Sequence, residues 1–173
     1  MLKKLVSLVM TGLNAVSCIA PTLTRLVIGQ AFISTGWGKL HSLEKVTGFF
    51  TSLGIPAPGL NAMFIATLEF IGGILLVIGL ATRPIAALLG CTMLVALLTA
   101  DKADFITAFN GVFGAGDKGL TDVTPLVYGI FLAWLLLYGP GLLSLDALVK
   151  WIMEKKGWLD PIAITPEKTG ESK

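Results

Sequence analysis

Three ionisable side chains stand where the sequence is otherwise apolar: Arg25 and Lys39 near the two ends of one run, and Glu69 near the middle of another. A charged group at the centre of a hydrocarbon layer costs on the order of 3 kcal/mol even on lenient insertion scales, so Glu69 needs compensation. A carboxylate facing a cation in an apolar interior can hold or pass a proton. The cation can stabilise negative charge developing on an oxygen of a bound molecule. Glu69, Lys39 and Arg25 are therefore the catalytic candidates. Each also has a plainer use: Glu69 can close a buried ion pair that fixes helix register, and Lys39 can snorkel outward to the headgroups.

The spacing shows which elements must position them. Ala62, Ala66, Glu69, Gly73, Leu76, Leu80 and Arg83 follow one another at alternating steps of four and three, and so do Arg25, Gly29, Phe32, Gly36 and Lys39. Each set is one face of a helix. Small residues beside the charges let the two helices approach closely, while Phe64, Ile71, Val77 and Ile78 are left to face lipid. An antiparallel pairing of the two stripes puts Phe32 near the level of Glu69, with Arg25 and Lys39 each about 10 Å away along the axis. Arg83 also suits a headgroup anchor.

The chain has 173 residues, 54% of them hydrophobic and 14% charged. Soluble domains carry about 25% charged residues, so this composition points to one integral membrane domain. The net charge of +2 comes from scattered flanking residues and gives no case for nucleic acid. The expected fold is all-α: an integral membrane four-helix bundle over residues 22–139, with spans at about 22–40, 60–81, 84–100 and 125–138. Flanking amphipathic interfacial helices are expected at 1–20, which Pro21 ends, and at 140–160, with a mobile tail at 161–173. Residues 1–20 also resemble a signal peptide.

Residues 41–53 are too short and too polar to span and suit an interfacial or re-entrant helix, serving as a lid or as a surface anchor. On the third span the inward candidates are Gly90, Leu94 and Leu97, with Cys91 as a small packing residue. Residues 101–124 read as a polar connection. Gly114, Gly116 and Gly119 have dinucleotide-loop spacing there, but without the strand and helix that motif needs. Asp146, after Ser144, is expected to cap the C-terminal surface helix. With a single histidine, His41, and no Cys-x-x-Cys, haem, iron–sulfur and ordinary zinc sites lack ligands within this chain. Lysine and arginine counts place both termini and the Arg83 turn on the cytoplasmic side.

Three segments carry a family resemblance: RLVIGQAFISTGWGKL in the first span, LEFIGGILLVIGLATRP at 68–84 and GPGLLSLD at 139–146. Together they resemble the DoxX family of small bacterial inner-membrane proteins, related to the DoxD subunit of thiosulfate:quinone oxidoreductase. The resemblance implies quinone-linked redox work in the inner membrane, often with a partner protein, and its frequent polar positions fall on Arg25, Lys39, Glu69, Arg83 and Asp146. For a quinone, Glu69 would handle protons, Lys39 or Arg25 would face a ring oxygen and Phe32 would lie against the ring. Phe32, Gly36, Gly73 and Arg83 are the candidate cofactor-binding residues. Whether the chain is itself an enzyme stays open. The other readings are a non-catalytic anchor or assembly partner for a soluble oxidoreductase or metal-handling system, and a proton or small-solute pathway. A homo-oligomer is compatible with all three.

Overall fold

The computed structural model describes residues 19–112, 119–141 and 144–155. The expected N-terminal surface helix before Ile19, the tail at 161–173 and most of the glycine-spaced loop lie outside these residues. The described chain is helical, with no strand. Its helices are α1 (Ile19–Leu40), α2 (Leu43–Ser52), α3 (Pro58–Ile78), α4 (Thr82–Thr99), α5 (Lys102–Val112), α6 (Thr124–Tyr138) and α7 (Leu145–Lys155), with a 3-10 turn at Leu120–Asp122 before α6.

Four of these helices pack in a closed ring: α1 along α3, α3 against α4, α4 along α6, and α6 back on α1. The shared core is Ile28 and Phe32 from α1, Leu76 from α3, Ala86, Leu89 and Met93 from α4, and Leu132 and Leu135 from α6. The outward faces are apolar too, with Val27, Phe64, Ile71, Leu98, Ile130 and Leu137 exposed. Apolar residues inside and outside suit a bundle whose solvent is lipid. Helices α3 and α4 are long and apolar enough to cross a hydrocarbon layer on their own, whereas α6 has 15 residues.

The tightest contact is between α1 and α3. A Cβ on Gly36 would fall onto the backbone of Phe70, one on Gly73 would come within 2.7 Å of the Ile33 nitrogen, and one on Gly29 within 2.8 Å of a Val77 methyl. Backbones this close need glycine on both sides. These contacts set an antiparallel register and bury the predicted faces: Arg25, Gly29, Phe32 and Gly36 on α1, and Ala62, Ala66, Glu69, Gly73 and Leu76 on α3. Val77, expected to face lipid, packs on Gly29, while Leu80 and Arg83 leave the stripe and are exposed.

The structure corrects other expectations. Helix α1 is already formed at Ile19 and runs through Pro21, so the proline does not end a preceding helix. The inward face of α4 is Ala86, Leu89 and Met93 instead of Leu94 and Leu97, with the expected Gly90 turned toward Leu132 of α6, because Ile85 and Leu89 seat against Gly72 of α3 and set its rotation. Leu94 and Cys91 consequently lie exposed on the outer face. The connection expected at 101–124 contains α5, where Phe105, Ala108 and Phe109 recur at helical spacing and Ala108 is fully buried.

The α1–α3 seam sets a first prediction. Gly36→Leu and Gly73→Val each overpack it and should destabilise the protein by about 1–3 kcal/mol or more, whereas Gly38→Ala, where a Cβ meets nothing within 4 Å, should be neutral. Thermal unfolding of detergent-purified variants, followed by fluorescence-detected size exclusion, measures the difference.

Candidate functional site

The glycine register decides where the charges meet. It places Lys39 two residues, about 3 Å along the axis, from the level of Glu69. Arg25 lies about 18 Å along the axis from that level. The offset differs from the expected pairing of Phe32 with Glu69, and it separates the two cations. Lys39 Nζ donates to Glu69 Oε1 at 2.5 Å, with the Glu69 side chain 1% exposed and that of Lys39 33% exposed. The second carboxylate oxygen, Oε2, is buried and accepts no hydrogen bond among the described residues.

This pair borders a cavity of about 540 Å³. Its walls come from five helices. Phe32, Thr35 and Lys39 contribute from α1, Val46, Phe49 and Phe50 from α2, and Ile65 and Glu69 from α3. Thr92, Met93, Val95, Ala96 and Thr99 follow from α4, and Thr124, Pro125 and Tyr128 from α6. The Phe32 and Tyr128 rings lie 5.6 Å apart, centre to centre, at a tilt of 59°. Helix α2 packs on α3, and no extensive packing joins it to α4 across the cavity. A concave apolar site of this size with a few polar groups has the usual form of a small-molecule pocket.

Arg25 belongs to a different assembly at the far end of the bundle. It is 2% exposed, and its Nη1 donates to the Pro140 carbonyl at 2.9 Å. Beside it, α3 ends at Gly79 with φ +76, and Ala81 is held at φ +51. Asp146 secures this turn: Oδ1 accepts the Ala81 N–H at 2.7 Å, Oδ2 accepts the Thr82 N–H at 2.9 Å, and its own N–H donates to the Gly79 carbonyl at 3.0 Å. Asp146 thus caps α4, contrary to expectation. The cap of α7 is Ser144, whose Oγ accepts the Ala147 N–H. The Asp146 charge also acts on the Arg25 guanidinium. A side chain at Gly79 would collide with Arg25. Gly139, at φ +84 and ψ −169, sits where essentially only glycine is tolerated, with Arg83 against it.

The sequence candidates therefore divide. Glu69, Lys39 and Phe32 share the cavity; Gly36 and Gly73 lie in the helix seam; Arg25 belongs to the clamp that also holds Asp146; Arg83 is exposed, with Nη2 3.5 Å from the Leu137 carbonyl. Sequence reasoning missed Tyr128 and the threonines of the cavity wall. Thr92, Ala96 and Thr99 do recur at steps of four and three, a polar stripe readable on the third span.

Comparison with known proteins gives the site a family context. A family model described as DoxX matches residues 20–102. "Uncharacterized membrane protein Rv3486" of Mycobacterium tuberculosis is 32% identical over 141 residues, covering 78% of this chain and 81% of that one. "Inner membrane protein YqjF" of Escherichia coli is 29% identical over 130 residues, 73% of this chain and 91% of its own length. "Putative oxidoreductase CatD" of Bacillus subtilis is 37% identical over 89 residues, 51% of this chain and 65% of that protein, so the match spans just under two thirds of its length. No solved structure matches.

Two predictions separate the two ends. Lys39→Met leaves the Glu69 carboxylate buried without its cation and should cost roughly 3 kcal/mol; adding Glu69→Leu should restore most of the loss, and a double-mutant cycle on unfolding measures the coupling. Asp146→Ala removes the acceptor for two α4 amides and should cost about 1–2 kcal/mol, with Asp146→Asn losing less. Thermal melts of the purified variants give both values.

Proposed function

This chain belongs to the DoxX family of membrane proteins, and on that premise we propose that it is a quinone-linked component of a membrane redox system. The observation that carries the reading is Glu69: a buried carboxylate with one oxygen held by Lys39 and the other unclaimed, bordering an otherwise apolar cavity of about 540 Å³. Reducing a quinone to a quinol consumes two electrons and two protons, so its site needs an apolar slot, polar groups at the ring oxygens and a proton-handling side chain. Glu69 is the side chain placed to exchange protons with the ring. Lys39 has donors beyond the one it gives Glu69 and faces a ring oxygen. Phe32 and Tyr128 border the ring, and the gap between α2 and α4 lets an isoprenoid tail leave toward lipid. A partner protein or a diffusible molecule supplies or removes the electrons.

The interior beyond the cavity favours a ring site over a solute path. Between Phe32 and the Arg25 clamp the core is Ile28, Leu76, Leu89, Leu132 and Leu135, with no polar ladder for an ion or hydrophilic solute. In the proposed orientation the protein crosses the bacterial inner membrane several times, both termini and the clamp are cytoplasmic, and the cavity opens toward the outer side.

The test is to purify the protein in mild detergent and quantify co-purified quinone by mass spectrometry for wild type, Glu69→Gln and Phe32→Ala. Near-stoichiometric quinone in wild type that falls severalfold in both variants is expected. Quinone no higher than in an unrelated membrane protein would overturn the reading and turn attention to an anchoring role.

A further inference from the structure

Every threonine hydroxyl on the α1 and α4 walls of the cavity has its one hydrogen committed to its own helix. Thr35 donates to the Phe32 carbonyl at 3.2 Å, Thr92 to that of Leu89 at 2.8 Å, and Thr99 to that of Val95 at 2.7 Å. Such back-bonding leaves only oxygen lone pairs to face a ligand. A buried polar atom of the wall, Glu69 Oε2, is an acceptor that nothing described fills, on a side chain 1% exposed. The donors that line the cavity are the ammonium groups of Lys39 and Lys45 and the hydroxyls of Thr124 and Tyr128, and of these Lys39 already serves Glu69 Oε1. Among the described residues, the one buried polar side-chain atom of the cavity wall without a partner is thus an acceptor.

A quinone ring carries only acceptor oxygens, whereas a quinol carries two O–H donors. We infer that the cavity selects the reduced, hydroxyl-bearing form of the ring, with one hydroxyl donating to Glu69 Oε2 and the other end of the ring toward the Lys39 side. This rests on the proposed ring site and adds its redox preference. The phenolic state is the one held more tightly, and the oxidised ring the one held more weakly. An unfilled buried carboxylate oxygen is costly to leave unpaired, and a ligand hydroxyl satisfies it where a carbonyl would repel it.

The full-length protein in lipid nanodiscs, under anaerobic conditions, is dialysed to equilibrium against a short-tailed para-quinol, its quinone and its quinol dimethyl ether. Each form is quantified by mass spectrometry against empty nanodiscs. The quinol should bind at least about tenfold more tightly than the quinone or the ether. Glu69→Leu should abolish that preference, weakening quinol binding severalfold more than quinone binding. Thr92→Val, an isosteric exchange at the cavity wall, should reduce it in part. Equal or tighter binding of the quinone by wild type would overturn the redox preference and leave the ring site standing. Binding of none of the three above the empty-disc background would overturn both. The wild-type comparison decides the matter even if a Glu69 variant does not fold.

Discussion

At Gly36 a Cβ would strike the backbone of Phe70, and at Gly73 one would strike that of Ile33. These absent side chains let α1 and α3 lie closer together than any other helix pair here, and closeness of that kind tolerates one register. That register puts Lys39 beside Glu69 and carries Arg25 to the far end. A seam with larger residues would hold the helices further apart and let them slide, and the carboxylate would lose its partner. In lipid, where no hydrophobic force drives one apolar helix onto another, such close van der Waals contact is the main means of specifying a neighbour.

The two polar ends of the bundle do different work. At one end, Arg25, Pro140, Gly79 and Asp146 consume one another's hydrogen-bonding capacity and tie the start of α4 to the segment entering α7. These bonds join the end of α3, the start of α4 and the segment entering α7, as a structural joint does. At the other, Lys39 and Glu69 satisfy each other only in part, and the remaining carboxylate oxygen lies at a cavity. An incompletely satisfied buried charge beside empty space is where a ligand gains most from binding. The polar residues of the DoxX resemblance therefore include joint residues as well as site residues.

The amphipathic helix α2 has a structural role that its composition leaves ambiguous. Val46, Phe49 and Phe50 would suit a helix lying flat on the membrane surface, yet they wall the cavity while α2 leans on α3. Its loose relation to α4 makes the cavity a cleft rather than a closed void, so a ring with a long apolar tail can be housed without the tail being buried.

How much of this was legible beforehand differs from residue to residue. The stripes Arg25–Gly29–Phe32–Gly36 and Ala62–Ala66–Glu69–Gly73–Leu76 were readable because helical periodicity is local: the pitch alone puts those positions on one face. The all-helical class and the segments of DoxX type were equally local. The rotation of α4 was not, since nothing within 84–100 says that Leu89 will seat on Gly72, and it turned the face away from Leu94 and Leu97. Nor was the offset between α1 and α3, which depends on which glycine meets which backbone. The sequence by itself determined which residues share a helix face. Only the tertiary structure decided that Lys39 and not Arg25 meets Glu69, that Asp146 caps α4 across the chain, and that donor-spent threonines line the cavity. The back-bonding of each threonine is local, but their meeting at one cavity, like the other two outcomes, depends on contacts between segments tens of residues apart that no local pattern encodes.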